Sequence, residues 1–451
     1  MNLLLITADD LTAGSCGCYG NRTSEATPNI DRLAAEGMRF ERGHVTTAAC
    51  QPSRQVWMTG LYPHRNGALG YEPIAANVPT LQEHLGRGGW LNGILGKVKH
   101  LAPREKFRWD YVVEGGDLGE GRDPARYREA SKRFFERATA ERRPFSLVAN
   151  SHDPHRPFAG SWRDRRWTLM GRGSYPAPKR RFRPDEVEVP GFLPDLPRVR
   201  AEIARYHASV HRCDETVGEI LSALDESGLR ETTLVVFMSD HGMSFPFAKT
   251  NCYLHSTNVP WIARWPGRVA PGTVDAKHFV SGIDFMPTIL DAAALPPVDG
   301  LDGRSFLPVL RGGTQEGRDE VYTVFTSTSA GREYPMRCLQ DRRFGYIFNA
   351  WADGKRVLLN ESMGGATYRA MVAAARRDPH VAARVELFRH RVPEELYDLE
   401  HDPSALRNLA SDDAHAEVLA GMRRKTLALM ASTGDPLLAE LRARIEPRRI
   451  P

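Results

Sequence analysis

Residues 2–10 read NLLLITADD, four consecutive apolar side chains and then, after Thr7 and Ala8, two acids, Asp9 and Asp10. So short and unbroken a run predicts a strand buried on both faces, with the acids at its carboxyl end. The spacing then changes. TPNIDRLAAEGMRF (27–40) has apolar positions at helical intervals, Thr27 as an N-cap and Pro28 in the first turn, and predicts an amphipathic helix. In PSRQVWMTGL (52–61) the proline falls where a helix start tolerates it, so Cys50 is expected just before a helix N-terminus. A helix is expected over 79–90 and a strand over 91–98. A long polar-faced helix over 124–143 leads into the strand PFSLVANSHDPH (144–155). Residues 156–196 are rich in Pro, Arg and Gly and predict no element, only a long loop of the functional or mobile kind. An amphipathic helix over 198–228 precedes the strand TLVVFMSDHG (233–242), which also ends in acid, at Asp240.

This alternation, continued to about residue 310, predicts an α/β fold: a large mixed, mostly parallel sheet sandwiched by helices. The pattern then shifts to antiparallel-type strands at 321–328, 335–349 and 395–403 and a last helix over 413–433. Two domains are expected, 1–314 and a smaller C-terminal α+β domain, 315–451, carrying an antiparallel sheet.

Composition narrows the class. The 451 residues suffice to bury a core without disulfides, and six scattered cysteines form neither a disulfide framework nor paired zinc motifs. No apolar run approaches the roughly 18 residues of a membrane span. The net charge of +5 comes without a basic helix or interleaved aromatics, which argues against nucleic acid as a partner. The cluster PKRRFRP (178–184) reads either as a solvated loop or as an attractor for an anionic substrate. The first strand begins almost at Met1, so a native start predicts a cytoplasmic protein; a trimmed leader predicts a periplasmic or secreted one.

Ligands of open α/β sheets bind beyond the carboxyl ends of strands, where Asp9-Asp10 and Asp240-His241 both fall. Carboxylates gathered there repel one another unless a cation lies between them, and hard oxygen donors suit Ca2+ or Mg2+. For one Asp-Asp pair the plainer reading is a cap; two agreeing strand ends favour a metal. Cys50 at a helix start is favoured as a thiolate or another anion by the helix dipole, yet no local His pairs with it. Alone it would read as a packed small residue. Arg54 reaches the same helix end. His207 and His211, one turn apart, read as packing or surface residues, and Cys16 and Cys18 as loop thiols.

These residues carry a resemblance. CQPSR (50–54) resembles the C-x-P-x-R signature of the type I sulfatases of the alkaline-phosphatase-like superfamily, and QVWMTGLYPHRNG continues it. LLLITADDL, GKVKH, SHDPH and SDHG fall in that family's order and rough spacing, and ELYDLEHDPSALRNLA resembles its small C-terminal domain. HDPHRPF, VPGFLPDLP, FPFAKTN and YPMRCLQDRRF are most similar to the heparan N-sulfatase branch and its bacterial relatives. The resemblance implies that a maturation enzyme converts Cys50 to formylglycine. Its hydrate is a geminal diol: one hydroxyl attacks sulfur, and the other later loses its proton to expel sulfate and restore the aldehyde. It implies Ca2+, with Mg2+ as the substitute, held by Asp9, Asp10, Asp240, His241 and residue 50. Arg54 would support the diol. Lys97, His100 and Lys249 would neutralise sulfate oxygens, and His152 would protonate the leaving group. The implied partner is a sulfated saccharide, N-sulfoglucosamine above all, and a homodimer is compatible with the family.

Two features depart from the usual pattern. Asp240-His241 stands where many sulfatases have Asp-Asn, and GKVKH is one residue longer than G-K-x-H, so Lys99 competes with Lys97. His155 and Arg156 are candidates for substrate contact, and Arg337 and the 178–184 cluster for a sugar carboxylate or second sulfate. The competing readings are an O-sulfatase, a phosphonate or phosphodiester hydrolase, and an inactive anionic-glycan-binding relative.

Overall fold

The strand Asn2–Asp9 sits mid-sheet, parallel to Phe145–Pro154 on one side and to Thr233–Ser239 on the other. Its alternation explains the placement. Leu3 and Leu5 join one apolar cluster with Leu234, Val236 and Met238, while Leu4 and Ile6 join another with Val235 and Phe237. Successive side chains thus enter opposite layers, as a strand buried on both faces requires. The computed structural model describes residues 1–23, 25–170 and 175–445.

The eight-stranded sheet runs Tyr111–Val113, Leu91–Leu95, Phe145–Pro154, Asn2–Asp9, Thr233–Ser239, Trp261–Arg264, Met38–Phe40, Thr273–Asp275. Only Trp261–Arg264 runs against its neighbours. The helices Pro124–Glu141 and Pro197–Glu226 cover one face through Tyr127, Phe134, Ile203 and Val210; Cys50–Thr59, Leu81–Arg87 and Phe285–Ala292 cover the other. The mostly parallel sheet between two helical layers is the fold class read from the sequence.

A second sheet, Glu320–Ser327, Glu333–Asp341, Phe344–Asn349 and Glu394–Asp398, is antiparallel throughout. Its Tyr322, Val324, Leu339, Tyr346 and Phe348 pack on Met422 and Met430 of the helix Ala416–Thr433. The alternate residues Phe325, Met336, Cys338 and Ile347 join the core of the large sheet, so the two sheets share an apolar cluster. Among the described residues no helix is long and apolar enough to cross a membrane.

Several expectations are corrected. The helix expected over 27–40 stops at Ala35, and Met38–Phe40 is a strand. Gly37 marks the change, since a Cβ there would lie 2.3 Å from the Ala263 carbonyl oxygen. Gly37→Ala is therefore expected to destabilise the protein by about 1–3 kcal/mol, read as a shift in the denaturant midpoint at constant slope. The loop expected over 156–196 contains the helix Trp162–Leu169. It is polar, so apolar spacing gave no signal; its start is fixed by Ser161 Oγ accepting from Asp164 N (3.2 Å) and Asp164 Oδ2 from Gly160 N (2.8 Å). The stretch 335–349 is two strands with a turn at 342–343. Cys16, in a loop as expected, has its side chain buried in the core.

Candidate active site

Cys50 is the first residue of the helix Cys50–Thr59, one position inside the expected boundary, and is 4% exposed. Its Sγ lies 3.2 Å from His241 Nε2 and 3.5 Å from Asp9 Oδ1. The parallel pairing of Asn2–Asp9 with Thr233–Ser239 brings Asp9 and Asp10 beside Asp240 and His241 despite some 230 residues between them: Asp10 N donates to Asp240 Oδ1 over 3.1 Å. One ligand atom each from Asp9, Cys50, Asp240 and His241 fits within 4.8 Å of the others. His241 Nδ1 lies 3.0 Å from the Gly242 carbonyl oxygen. A proton on Nδ1 makes that hydrogen bond and leaves the Nε2 lone pair facing the carboxylates.

The local backbone is held in unusual conformations. Asp10 (φ 73°) and Lys97 (φ 53°) are left-handed, a conformation that costs L-residues energy and clusters at functional sites. Tyr206 OH holds the Asp10 carbonyl over 3.2 Å. Asn150 Nδ2 donates to the carbonyls of Leu95 and Gly96 just before Lys97. Asn150 Oδ1 also accepts from Arg54 Nη1 over 2.6 Å, and Arg54 Nε and Nη2 reach Asp240 Oδ2 at 3.2 and 2.9 Å. Arg54 thereby ties Cys50's helix to two strand ends.

Cations face these carboxylates. Lys97 Nζ contacts Asp9 Oδ2, and Lys249 Nζ lies 3.0 Å from Asp10 Oδ1 and 2.9 Å from Glu361 Oε2. Lys99 is exposed. Burial alone would raise the Asp9 pKa, but Lys97, with His155 and Arg54, outweighs it and holds the carboxyl well below its usual range. Burial would lower Lys249, yet Asp10, Cys50 and Glu361 hold its ammonium well above the usual value. Asp9 Oδ2 and Asp10 Oδ1 are buried and make no hydrogen bond of good geometry. Buried carboxylate oxygens from two strand ends, gathered beside an imidazole lone pair, fit a metal ion.

The thiol itself does not behave as the helix dipole alone would have it. Burial pushes its pKa well up, Lys249 opposes this, and Asp9, Asp240 and Asp10 push the same way as burial. With no cation among those carboxylates, burial and the three acids work against a thiolate at Cys50.

His152 stands at the rim, its Nδ1 3.6 Å from Asp9 Oδ2 and its ring 4.8 Å from that of His155. Burial, then Lys97 and Arg122, keep its pKa well below the usual imidazole value, so the free protein holds it neutral. Burial and then Lys97 do the same to His100, whose Nδ1 is buried without a hydrogen bond. Behind His152, Asp153 is clamped by Arg122 and Arg212, all three fully buried, and Arg122 Nη2 also donates to the His155 carbonyl over 2.8 Å.

Other candidates lie elsewhere. Arg337 is 1% exposed, and its Nη2 donates to Asp435 over 3.0 Å, so it has no free face for a sugar. In the 178–184 cluster, Arg180 pairs with Glu25 and Arg183 with Asp185. His207 and His211 are packed against Phe182. Arg156 donates to Glu202 and to the Ser244 carbonyl. Sequence reasoning missed Glu361, Asn150, and the Arg122 and Arg212 clamp. Asn150, a polar residue inside an apolar strand, was readable; Glu361, a lone acid in a short turn over 361–364, gave no signal.

The chain is similar to known proteins along nearly its whole length. A family model described as Sulfatase matches residues 1–295. Human N-sulphoglucosamine sulphohydrolase is 31% identical, over 96% of this chain and 91% of that one. An ulvan-active sulfatase of Formosa agariphila is 27% identical, over 97% of this chain and 81% of its own. Among solved structures, one in complex with its substrate D-glucosamine-2-N,6-O-disulfate superposes with TM-score 0.72 at 18% identity, covering 96% and 98% of the two chains. Phosphonate monoester hydrolase of Agrobacterium radiobacter superposes with TM-score 0.70 at 20% identity, covering 96% of each; at that identity the likeness concerns the fold alone. With the family model spanning well over half its length and a relative of this identity along nearly all of it, the chain belongs to the sulfatase family.

Proposed function

We propose that the protein removes sulfate from a sulfated sugar, and specifically the N-sulfate of a non-reducing-end N-sulfoglucosamine. The observation that carries the reading is the convergence on Cys50, at a helix start, of Asp9, Asp240 and His241, with Lys97 and Lys249 alongside. The sugar class is supported by the 31% identity to human N-sulphoglucosamine sulphohydrolase. Residue 50 acts after a maturation enzyme has converted it to formylglycine, whose hydrate supplies the attacking hydroxyl.

Asp9, Asp10, Asp240 and His241 would hold Ca2+, or Mg2+ in its place. When bound, such an ion withdraws charge from the attacking and sulfate oxygens. The chain's own residues do the rest. Lys97, against Asp9, and Lys249, against Asp10, neutralise charge as it builds on the sulfate oxygens. Arg54 fixes residue 50 relative to Asp240. His100, neutral, donates a hydrogen bond. His152 delivers a proton to the leaving nitrogen; the negative substrate beside it raises the imidazole's proton affinity above that of the free protein.

An amine leaves poorly as an anion, whereas an activated phenolate needs little protonation. His152→Ala is accordingly expected to slow sulfamate hydrolysis by about 10²–10³-fold and aryl sulfate hydrolysis by less than about tenfold. The test is sulfate release measured side by side on N-sulfoglucosamine, glucosamine 6-O-sulfate and an aryl sulfate. Brisk O-sulfate cleavage with an untouched sulfamate would refute the N-sulfate assignment and leave an O-sulfatase.

A further inference from the structure

Glu361 is out of place on charge alone. Its Oε2 lies 2.9 Å from Lys249 Nζ. A carboxylate beside a lysine that is to meet sulfate repels that sulfate. Nor does the pair serve stability: the Glu361 side chain is 34% exposed, and ion pairs open to water contribute little. Its other oxygen, Oε1, lies 3.5 Å from His155 Nε2. The acid thus sits between two residues of the site, although it comes from a short turn over 361–364, beyond the antiparallel strand Phe344–Asn349.

The backbone that carries Lys249 is fixed at both its N–H and its carbonyl. Lys249 N donates to the Met243 carbonyl over 3.0 Å, and the Lys249 carbonyl accepts from Thr250 Oγ1 (2.6 Å) and Asn251 Nδ2 (3.0 Å). Thr250 N donates over 2.9 Å to the carbonyl of Ala48, two residues before Cys50. Asn360, next to Glu361, donates through Nδ2 to Thr250 Oγ1 over 2.7 Å. Phe247 (φ 67°) and Thr250 (φ 63°) are left-handed, which a bulky and a β-branched residue adopt only where their surroundings over-determine it. What remains free is the side chain, a flexible stem ending in an ammonium with three N–H donors. Asp10 Oδ1, at 3.0 Å, and Glu361 Oε2 take two of them from different elements. With two N–H directions fixed, tetrahedral geometry fixes the third. With Asp10 alone the ammonium would turn about that one contact and settle on both Asp10 oxygens, of which Oδ2 is already 3.2 Å away.

We propose that Glu361 is a positioning residue: with Asp10 it sets the direction in which Lys249 offers its remaining N–H to the sulfate. This rests on the reading above, in which Lys249 neutralises charge on the sulfate oxygens. The repulsion between Glu361 and the anion is the smaller effect, because a misdirected ammonium loses its transition-state contact altogether.

Sulfate release by the mature enzyme would be compared for wild type, Glu361→Ala, Glu361→Gln, Lys249→Ala and Lys249→Ala/Glu361→Ala, on N-sulfoglucosamine and on an aryl sulfate. Glu361→Ala is expected to lower kcat by about tenfold to a hundredfold and to leave KM within about threefold. Glu361→Gln, whose side-chain carbonyl accepts the same N–H, should keep kcat within about threefold of wild type. In the Lys249→Ala background, the Glu361→Ala step should change kcat by less than about twofold, because the acid acts through the lysine. Activity of Glu361→Ala at or above wild type would mean that the acid only competes with sulfate. That result, a Gln variant as slow as the Ala variant, or a full loss in the Lys249→Ala background would each overturn the proposal. Crystal structures of wild type and Glu361→Ala test the positioning without turnover. Lys249 Nζ should leave its wild-type place in the variant, and an unmoved Nζ would overturn the proposal even where wild-type protein releases no sulfate. Absence of sulfate release from fully converted wild type on every substrate counts against the parent reading alone.

Discussion

Cys50→Ser is expected to fold normally and to lose turnover by roughly a thousandfold or more. The substitution exchanges one buried atom in a residue that is 4% exposed, so the melting temperature should barely move. A serine hydroxyl at this helix start faces the same Asp9, His241 and Lys249 surroundings and can attack sulfur once. It carries no second hydroxyl whose deprotonation would expel the sulfate. An aryl sulfate should therefore give a single stoichiometric burst of phenol with no continuing sulfate release. Sustained turnover by the serine variant would mean that the second hydroxyl is not needed, and the formylglycine reading would fall.

Asp10→Ala is expected to abolish cation binding and to reduce kcat/KM by at least about a hundredfold. Asp10 is fully buried, and its Oδ1 lies 3.0 Å from Lys249 Nζ and 3.4 Å from His241 Nε2. Removing it takes a hard donor from the cluster and leaves Lys249 with Glu361 as its remaining close acid. A readout independent of activity is thermal: a cation at about a hundred times its Kd stabilises the native state by about 2.7 kcal/mol. Wild-type protein should gain melting temperature on Ca2+ addition and lose it on chelation, and Asp10→Ala should respond to neither. A full calcium response in Asp10→Ala would place the ion elsewhere.

Both results depend on residues distant in the chain, and the sequence carried much of that arrangement. The apolar runs 3–6 and 234–238 named the two strands, and the acids that close them lie at adjacent carboxyl ends because the strands pair in parallel. That rule needs only local patterning and a fold class. What stayed illegible depends on contacts between remote side chains. Glu361 reaches Lys249 across more than a hundred residues from a turn with no periodicity. The helix Trp162–Leu169 lacks an apolar stripe, so its arginines read as loop residues. Arg337 looked available as an isolated basic residue in a strand, yet Asp435, from beyond the last long helix, takes up its charge. The helix dipole at Cys50 pointed towards an anion, while the carboxylates that oppose one come from strands the local sequence does not contain.

On the proposed function, residue 50 works as formylglycine within this cluster. The most direct measurement is the mass of the peptide carrying residue 50, taken from protein whose sulfate release has been assayed in the same preparation. The expected result is the aldehyde mass, in a fraction that tracks specific activity across preparations made with and without the maturation enzyme. Full activity with residue 50 wholly present as an unmodified thiol would contradict it.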